Sequence, residues 1–185
     1  MQIHGHLPHL SGVGSDARQV LAAHFLRDCD HVVEIGSHSR PILSFLTHAP
    51  SSVMSVDPKS VAYESFELNG KPCHVRHIPK KFQEVEFDYQ PGTYGLVMLG
   101  YSLKSFGARD PLGEMLFSLI DNAKTVIVDY TPGLERAVSQ IPAVIERPGL
   151  ETVCKLEMRL FDPEITDTPF AERRFHVLKP VHQSS

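Results

Sequence analysis

The chain has no tryptophan, only three cysteines, and no apolar run approaching the ~20 residues that a membrane span requires. Cys29, Cys73 and Cys154 are odd in number, widely spaced and form no C-x-x-C pair, so neither a disulfide framework nor a zinc knuckle is expected. Reduced thiols follow. A strong excess of either charge is also lacking, since 18 Lys and Arg stand against 22 Asp and Glu for a net charge of −4. Enzymes that grip RNA or DNA usually present a basic surface, and the pair Lys80-Lys81 is too small to supply one. The expectation is therefore no nucleic-acid partner and no membrane association. The first residues lack the basic and apolar regions of a secretory leader, which reads as cytoplasmic.

What is present centres on one stretch. The apolar run His31-Val32-Val33-Glu34-Ile35 stops at Gly36, continues through Ser37-His38-Ser39-Arg40, and meets Pro41, a residue suited to the first turn of a helix. About 20 residues beyond the glycine, a second short apolar run ends in Asp57, which is the layout of a nucleotide-binding βαβ unit. An adenosine-containing ligand is expected. A dinucleotide site needs small residues at three places so that the backbone can approach the pyrophosphate, and here Gly36 stands alone while His38 and Pro41 sit near the other two. That pattern disfavours NAD and FAD.

A ligand with adenosine but no phosphate does not demand those glycines. With Glu34 at the strand end, Gly36 in the turn and Asp57 closing the next strand, the segment resembles the class I S-adenosylmethionine (SAM) dependent methyltransferases. The resemblance implies that Glu34 helps to hold the methionine end of SAM and that Asp57 accepts hydrogen bonds from the ribose hydroxyls. It also implies cofactor contacts from the Ser37-His38 loop, from Pro58, from Phe82 and from Gly100. His38 and Arg40 replace the later glycines of the family's usual E-x-G-x-G-x-G.

Residues 1–14, with His4, His6 and His9, read as an arm or lid more than as a metal site, and residues 181–185 as a disordered tail. Between them, residues 15–180 are expected to form one domain. Ser15 caps a helix with Ala17, Val20, Leu21 and Phe25 on its apolar face, and a second helix begins at Pro41. Strands are expected at 31–35, 53–56, 75–78, 94–99 and 125–128, with a short helix from Pro58 to about Phe66 that Asn69-Gly70 stops. Asp110-Pro111 opens a helix before the last of these strands. Alternation around Leu156, Met158 and Leu160, and again at Phe175 and Val177, reads as an antiparallel hairpin. The expected fold is α/β: a doubly wound, mostly parallel seven-stranded sheet with a C-terminal antiparallel β-hairpin, which is also what the resemblance implies.

In open α/β sheets the ligand lies beyond the carboxyl ends of the strands, so Tyr101 and Asp129, following the two most buried strands, are the candidate catalytic residues. Gly100-Tyr101-Ser102 stands where methyltransferases acting on nucleobase amines carry Asn/Asp-Pro-Pro-Tyr/Phe, and the difference speaks for a small-molecule acceptor. Several residues keep two readings. His38 lies over bound SAM or is an exposed loop histidine; Phe82 stacks on adenine or packs in the core. The function expected is methyl transfer from SAM to a small molecule, with a homodimer left open as the oligomeric state. The alternatives are a SAM-using enzyme that cyclises or cleaves the aminobutyrate moiety, and a noncatalytic SAM-binding partner subunit.

Overall fold

The computed structural model describes residues 13–36, 41–99, 110, 113–130, 132, 141–159 and 171–181. Most of the N-terminal arm, residues 1–12, and of the C-terminal tail, residues 182–185, lies outside that set. Five strands run parallel at the centre: β1 (His31–Ile35), β2 (Ser52–Val56), β4 (Lys71–Ile78), β5 (Tyr94–Leu99) and β6 (Thr125–Tyr130). Three antiparallel strands complete the sheet: β3 (Tyr63–Leu68) pairs with β4, β8 (Glu172–Pro180) with β6, and β7 (Leu150–Arg159) with β8. The order is β3-β4-β2-β1-β5-β6-β8-β7. Among the described residues no helix is long and apolar enough to cross a membrane.

Side-chain alternation sorts the core into two layers. Val33, Ile35, Met54, Val56, Leu96, Met98, Val126 and Val128 face helix α2 (Glu114–Asp121) and helix α3 (Ile141–Ile145), whose Leu116, Leu119, Ile120 and Val144 are buried against them. Val32, Val53, Val75, Val97 and Ile127 face the opposite way, towards helix α1 (Val13–Phe25) and a single 3-10 turn at Ile42–Phe45. All six residues of β5 and of β6 are buried, as central parallel strands covered on both faces should be.

The architecture departs from expectation in three places. The sheet has eight strands, not seven, because the segment read as a helix over residues 58–66 carries β3 instead. Asn69 and Gly70 have φ of 53° and 73°, the conformation of a two-residue hairpin turn, and they join Leu68 to its partner Lys71. The Asn69 side-chain amide then donates to the Leu46 carbonyl at 3.0 Å, docking the turn on the core. With β3 in place of a helix and a 3-10 turn between β1 and β2, the described residues do not show the regular helical winding expected of the crossovers. What holds is a mostly parallel α/β sheet with an antiparallel C-terminal hairpin.

The third departure is the buried face of α1. Val20 is 56% exposed, while Arg18, Gln19, Ala22, Ala23 and Leu26 are buried. These positions follow the i, i+4 rows of a helix, but two of them are polar, so an apolar pattern alone misplaces the face.

The Leu26–Cys29 segment that follows α1 lies close to β5 at Gly95, where an added Cβ would collide with the Leu26 side chain and sit 3.0 Å from Cys29 Sγ. Both neighbours are buried and cannot swing into solvent. Gly95→Ala is expected to cost ~1–3 kcal/mol through overpacking. A urea midpoint equal to that of the wild type would show that α1 shifts freely.

Candidate active site

The carboxyl ends of β1, β2 and β4 meet at one corner of the sheet. Strand β1 ends because Gly36 turns the chain with φ of 85°, a left-handed conformation that disfavours any side chain, and its N–H still donates to the Val56 carbonyl at 2.9 Å. This bond places Gly36 directly beside Asp57, the first residue after β2. The Asp57 N–H in turn donates to the Ile78 carbonyl at 3.2 Å, tying the corner to the end of β4.

Glu34 is 1% exposed and points into the α1 side of the sheet. The backbone N–H of Ile42 donates to both of its carboxylate oxygens at 3.0 Å, and Ser55 Oγ donates to Oε2 at 2.8 Å. Its carboxylate thus fixes the returning end of the loop that leaves β1. Burial pushes its pKa up to about 7 against the lowering effect of the Ser55 and Ile42 hydrogen bonds, and the nearby Asp57 charge adds to the rise.

Asp57 is 8% exposed and its Oδ1 accepts the Lys59 N–H at 2.7 Å, an Asx turn that aims the carboxylate along the end of the strand. A carboxylate only accepts, with capacity for about four hydrogen bonds. An acceptor-only group of this kind suits a pair of vicinal hydroxyls. Pro58 is exposed within the same turn. Phe82 opens a 3-10 turn after β4 and is 8% exposed, packed in the core layer that includes Val56 and Val85. Glu34, Gly36, Asp57 and Pro58 are therefore brought to one corner, with Phe82 just beyond β4. Ser37, His38, Gly100 and Tyr101 lie outside the described residues.

Asp129 occupies a different environment. It sits near the end of β6 on the α1 face, is 0% exposed, and its Oδ2 accepts hydrogen bonds from Arg18 of α1 and, at 2.7 Å, from Arg173 of β8. Both arginines are 1% exposed. Burial alone would raise its pKa, but Arg173 and Arg18 outweigh that and hold it below the ordinary carboxylate value. A general base has to reach the acceptor, and a fully buried carboxylate fastened to two guanidinium groups has no such access. In this geometry Asp129 anchors α1 and β8 to β6. Sequence reasoning misses Arg18, Arg173 and Ser55, because each acts through a partner far away in the chain and nothing local marks it.

No protein-family model and no curated protein matches the sequence. Solved structures do match in three dimensions. The N-methyltransferase NodS from Bradyrhizobium japonicum superposes with a TM-score of 0.58 at 7% identity, covering 90% of this chain and 94% of that one. An rRNA methylase from Streptococcus thermophilus gives 0.55 at 11% identity over 93% and 99% of the two chains. The 23S rRNA methyltransferase ErmE gives 0.51 at 16% identity over 89% and 67%. These similar structures correct the expectation that nucleic acid is excluded, since two of the three are rRNA-modifying enzymes of the same fold. Net charge is a sum over the whole molecule, whereas phosphates are met by a local surface, so −4 excludes nothing. The chain has the fold of the class I SAM-dependent methyltransferases, as the resemblance at Glu34, Gly36 and Asp57 implied.

Proposed function

We propose that this protein is a SAM-dependent methyltransferase. The observation that carries the reading is the corner at the carboxyl ends of β1 and β2, where Gly36 turns with positive φ beside the Asp57 carboxylate and the buried Glu34 pins the loop between them. The similarity of fold to NodS, which has been crystallised with S-adenosyl-L-homocysteine, supports the choice of cofactor. In this reading Asp57 accepts the ribose hydroxyls, Gly36, Ser37 and His38 form the loop over the ligand, and Pro58, Phe82 and Gly100 line its adenosine side. Glu34 is a positioning residue that acts through Ile42. The three cysteines are free thiols, in keeping with a cytoplasmic setting.

SAM supplies an already electrophilic methyl group, so the chain's own task is to hold a nucleophile in line with it. Alignment of this kind is worth up to ~7–11 kcal/mol of barrier. Tyr101 is proposed on the acceptor side, and Asp129 contributes by keeping α1 and β8 registered on β6. The sequence Gly100-Tyr101-Ser102, which lacks the Asn/Asp-Pro-Pro-Tyr/Phe pattern, favours a small-molecule acceptor. The second reading is an RNA acceptor, favoured by the rRNA-modifying enzymes of similar fold.

Calorimetry with SAM and S-adenosylhomocysteine tests the cofactor. Asp57→Ala should weaken SAM binding at least about tenfold, since a hydrogen bond to a charged acceptor is worth ~1.5–3 kcal/mol, while the fold is kept. Equal affinity in the folded variant would remove Asp57 from the site. Mass analysis of SAM incubated with the protein and candidate acceptors separates methyl transfer, which releases S-adenosylhomocysteine, from cleavage or cyclisation of the aminobutyrate moiety.

A further inference from the structure

Strand β3, the element added to the seven-strand plan, brings an exposed aromatic and basic surface to the rim of the site. Tyr63 is 51% exposed and lies directly across from His77, their rings 5.2 Å apart, at the end of the hairpin nearest Ile78. Lys59 is two residues beyond Asp57 and Lys80 two residues beyond Ile78, and Asp57 and Ile78 are themselves joined by a backbone hydrogen bond of 3.2 Å. Lys59, Lys80 and Lys81 are exposed, and among the described residues none of them is in an ion pair. Glu64, the nearest acidic residue on β3, is on the other face of the hairpin, held by His74 at 2.7 Å.

From this juxtaposition we infer that Lys59, Tyr63, His77, Lys80 and Lys81 form a binding surface for single-stranded RNA beside the cofactor corner. Ammonium groups track the phosphates, and the ring of Tyr63, backed by His77, offers a platform on which an unpaired base stacks. A membrane surface could use the lysines and seat an interfacial tyrosine, but the ring pair lies beside a corner suited to an adenosine, which favours a base, and vesicles are the competing arm of the test. The inference takes the second reading of the acceptor, RNA, and rests on the methyltransferase reading for its chemistry, while the contact surface stands on its own residues.

The test is fluorescence anisotropy of the full chain with a labelled, unstructured RNA of about twelve nucleotides, within the usual site size of such surfaces, over a range of salt concentrations. Three phosphate contacts at about 0.7 each predict a slope near −2 for log K against log salt. Lys80→Glu with Lys81→Glu should weaken binding at least about tenfold and flatten the slope by about 1.4. Tyr63→Ser should weaken it at least about fivefold with the slope unchanged, because stacking releases no counterions. SAM affinity, measured in parallel by calorimetry, should be the same in all three proteins and so reports that they are folded. No RNA binding by the wild type, an unaltered affinity in the double lysine variant, or equal binding to phosphatidylserine vesicles would each overturn the surface. RNA binding that depends on the lysines in a protein that does not bind SAM would uphold the surface and defeat the methyltransferase reading.

Discussion

Asp129→Ala is expected to lower the stability of the folded protein by ~3–5 kcal/mol, the largest loss from any single substitution considered. Its carboxylate is the acceptor on which Arg18 and Arg173 converge, and all three side chains are almost completely withdrawn from water. Removing the anion leaves two cations close together in the interior, each without the carboxylate that offset part of its desolvation penalty. Asp129→Asn should fare little better, because it keeps the shape and removes the charge. The informative control is the triple variant Arg18→Met, Asp129→Leu, Arg173→Met. Replacing a whole buried ionic group by apolar residues of similar volume is often neutral, so the triple variant should recover much of the loss. Urea unfolding at neutral pH measures all three. Because the folded Asp129 pKa is depressed, its stabilisation is fully present above the ordinary carboxylate range and is lost as pH falls through the folded value. A loss under about 1 kcal/mol at neutral pH would show that the triad is not the fastening between α1, β6 and β8.

Glu34 works in the opposite sense. Its folded pKa of about 7 lies above its ordinary value of 4.5, chiefly because the group is buried, so the folded chain holds this proton more tightly than the unfolded chain does. The stabilisation is complete below the unfolded value and disappears as pH rises towards 7. At about 1.4 kcal/mol per unit the window is worth ~3 kcal/mol. Glu34→Gln should remove this slope, giving a flatter stability profile between these two pH values and a protein at least as stable as the wild type above pH 7. The new amide oxygen retains the ability to accept from Ile42. The check is a series of urea midpoints across that range. A Glu34→Gln protein with the same slope as the wild type would assign the pH dependence to another group.

Local pattern makes much of this fold legible, and the failures share a cause. Strands β1, β2, β5 and β6 follow from apolar runs that end at Gly36, Asp57, Gly100 and Asp129, and the C-terminal hairpin follows from the alternation around Leu156, Met158, Phe175 and Val177. Strand β3 escapes a local reading because Tyr63-Glu64-Ser65-Phe66 places its apolar residues three apart, a spacing that also fits a helix. The Asn69-Gly70 turn between two β-prone segments is the stronger signal. Arg18 reads as the solvated side of an amphipathic helix until Asp129, 111 residues away, is seen to receive it. Asp129 looks catalytic for the same reason, since a carboxylate after a buried strand marks a site or a buried ion pair, and only the partner distinguishes them. The corner formed by Glu34, Gly36 and Asp57 is legible because its spacing is set by one βαβ-like unit and needs no distant residue. Ser55 is not, since its hydroxyl matters only through its register beside Glu34 on β1.

The two outermost strands have one thing in common. Pairing between β3 and β4 slips a register between Ser65 and Glu67, and pairing between β7 and β8 slips between Thr152 and Cys154. In the second pair the extra residue is Val153 of β7, apolar and 46% exposed; in the first it lies on β4, where Cys73 and His74 together face Phe66 of β3, itself 71% exposed. An outer strand offers a row of unpaired peptide groups that another chain can copy, and a bulge bends that row so that a straight strand cannot lie along it. Each rim of this sheet is thus kinked beside an exposed apolar residue. Deleting Val153 would straighten its rim and turn a guarded edge into a template for fibrous growth.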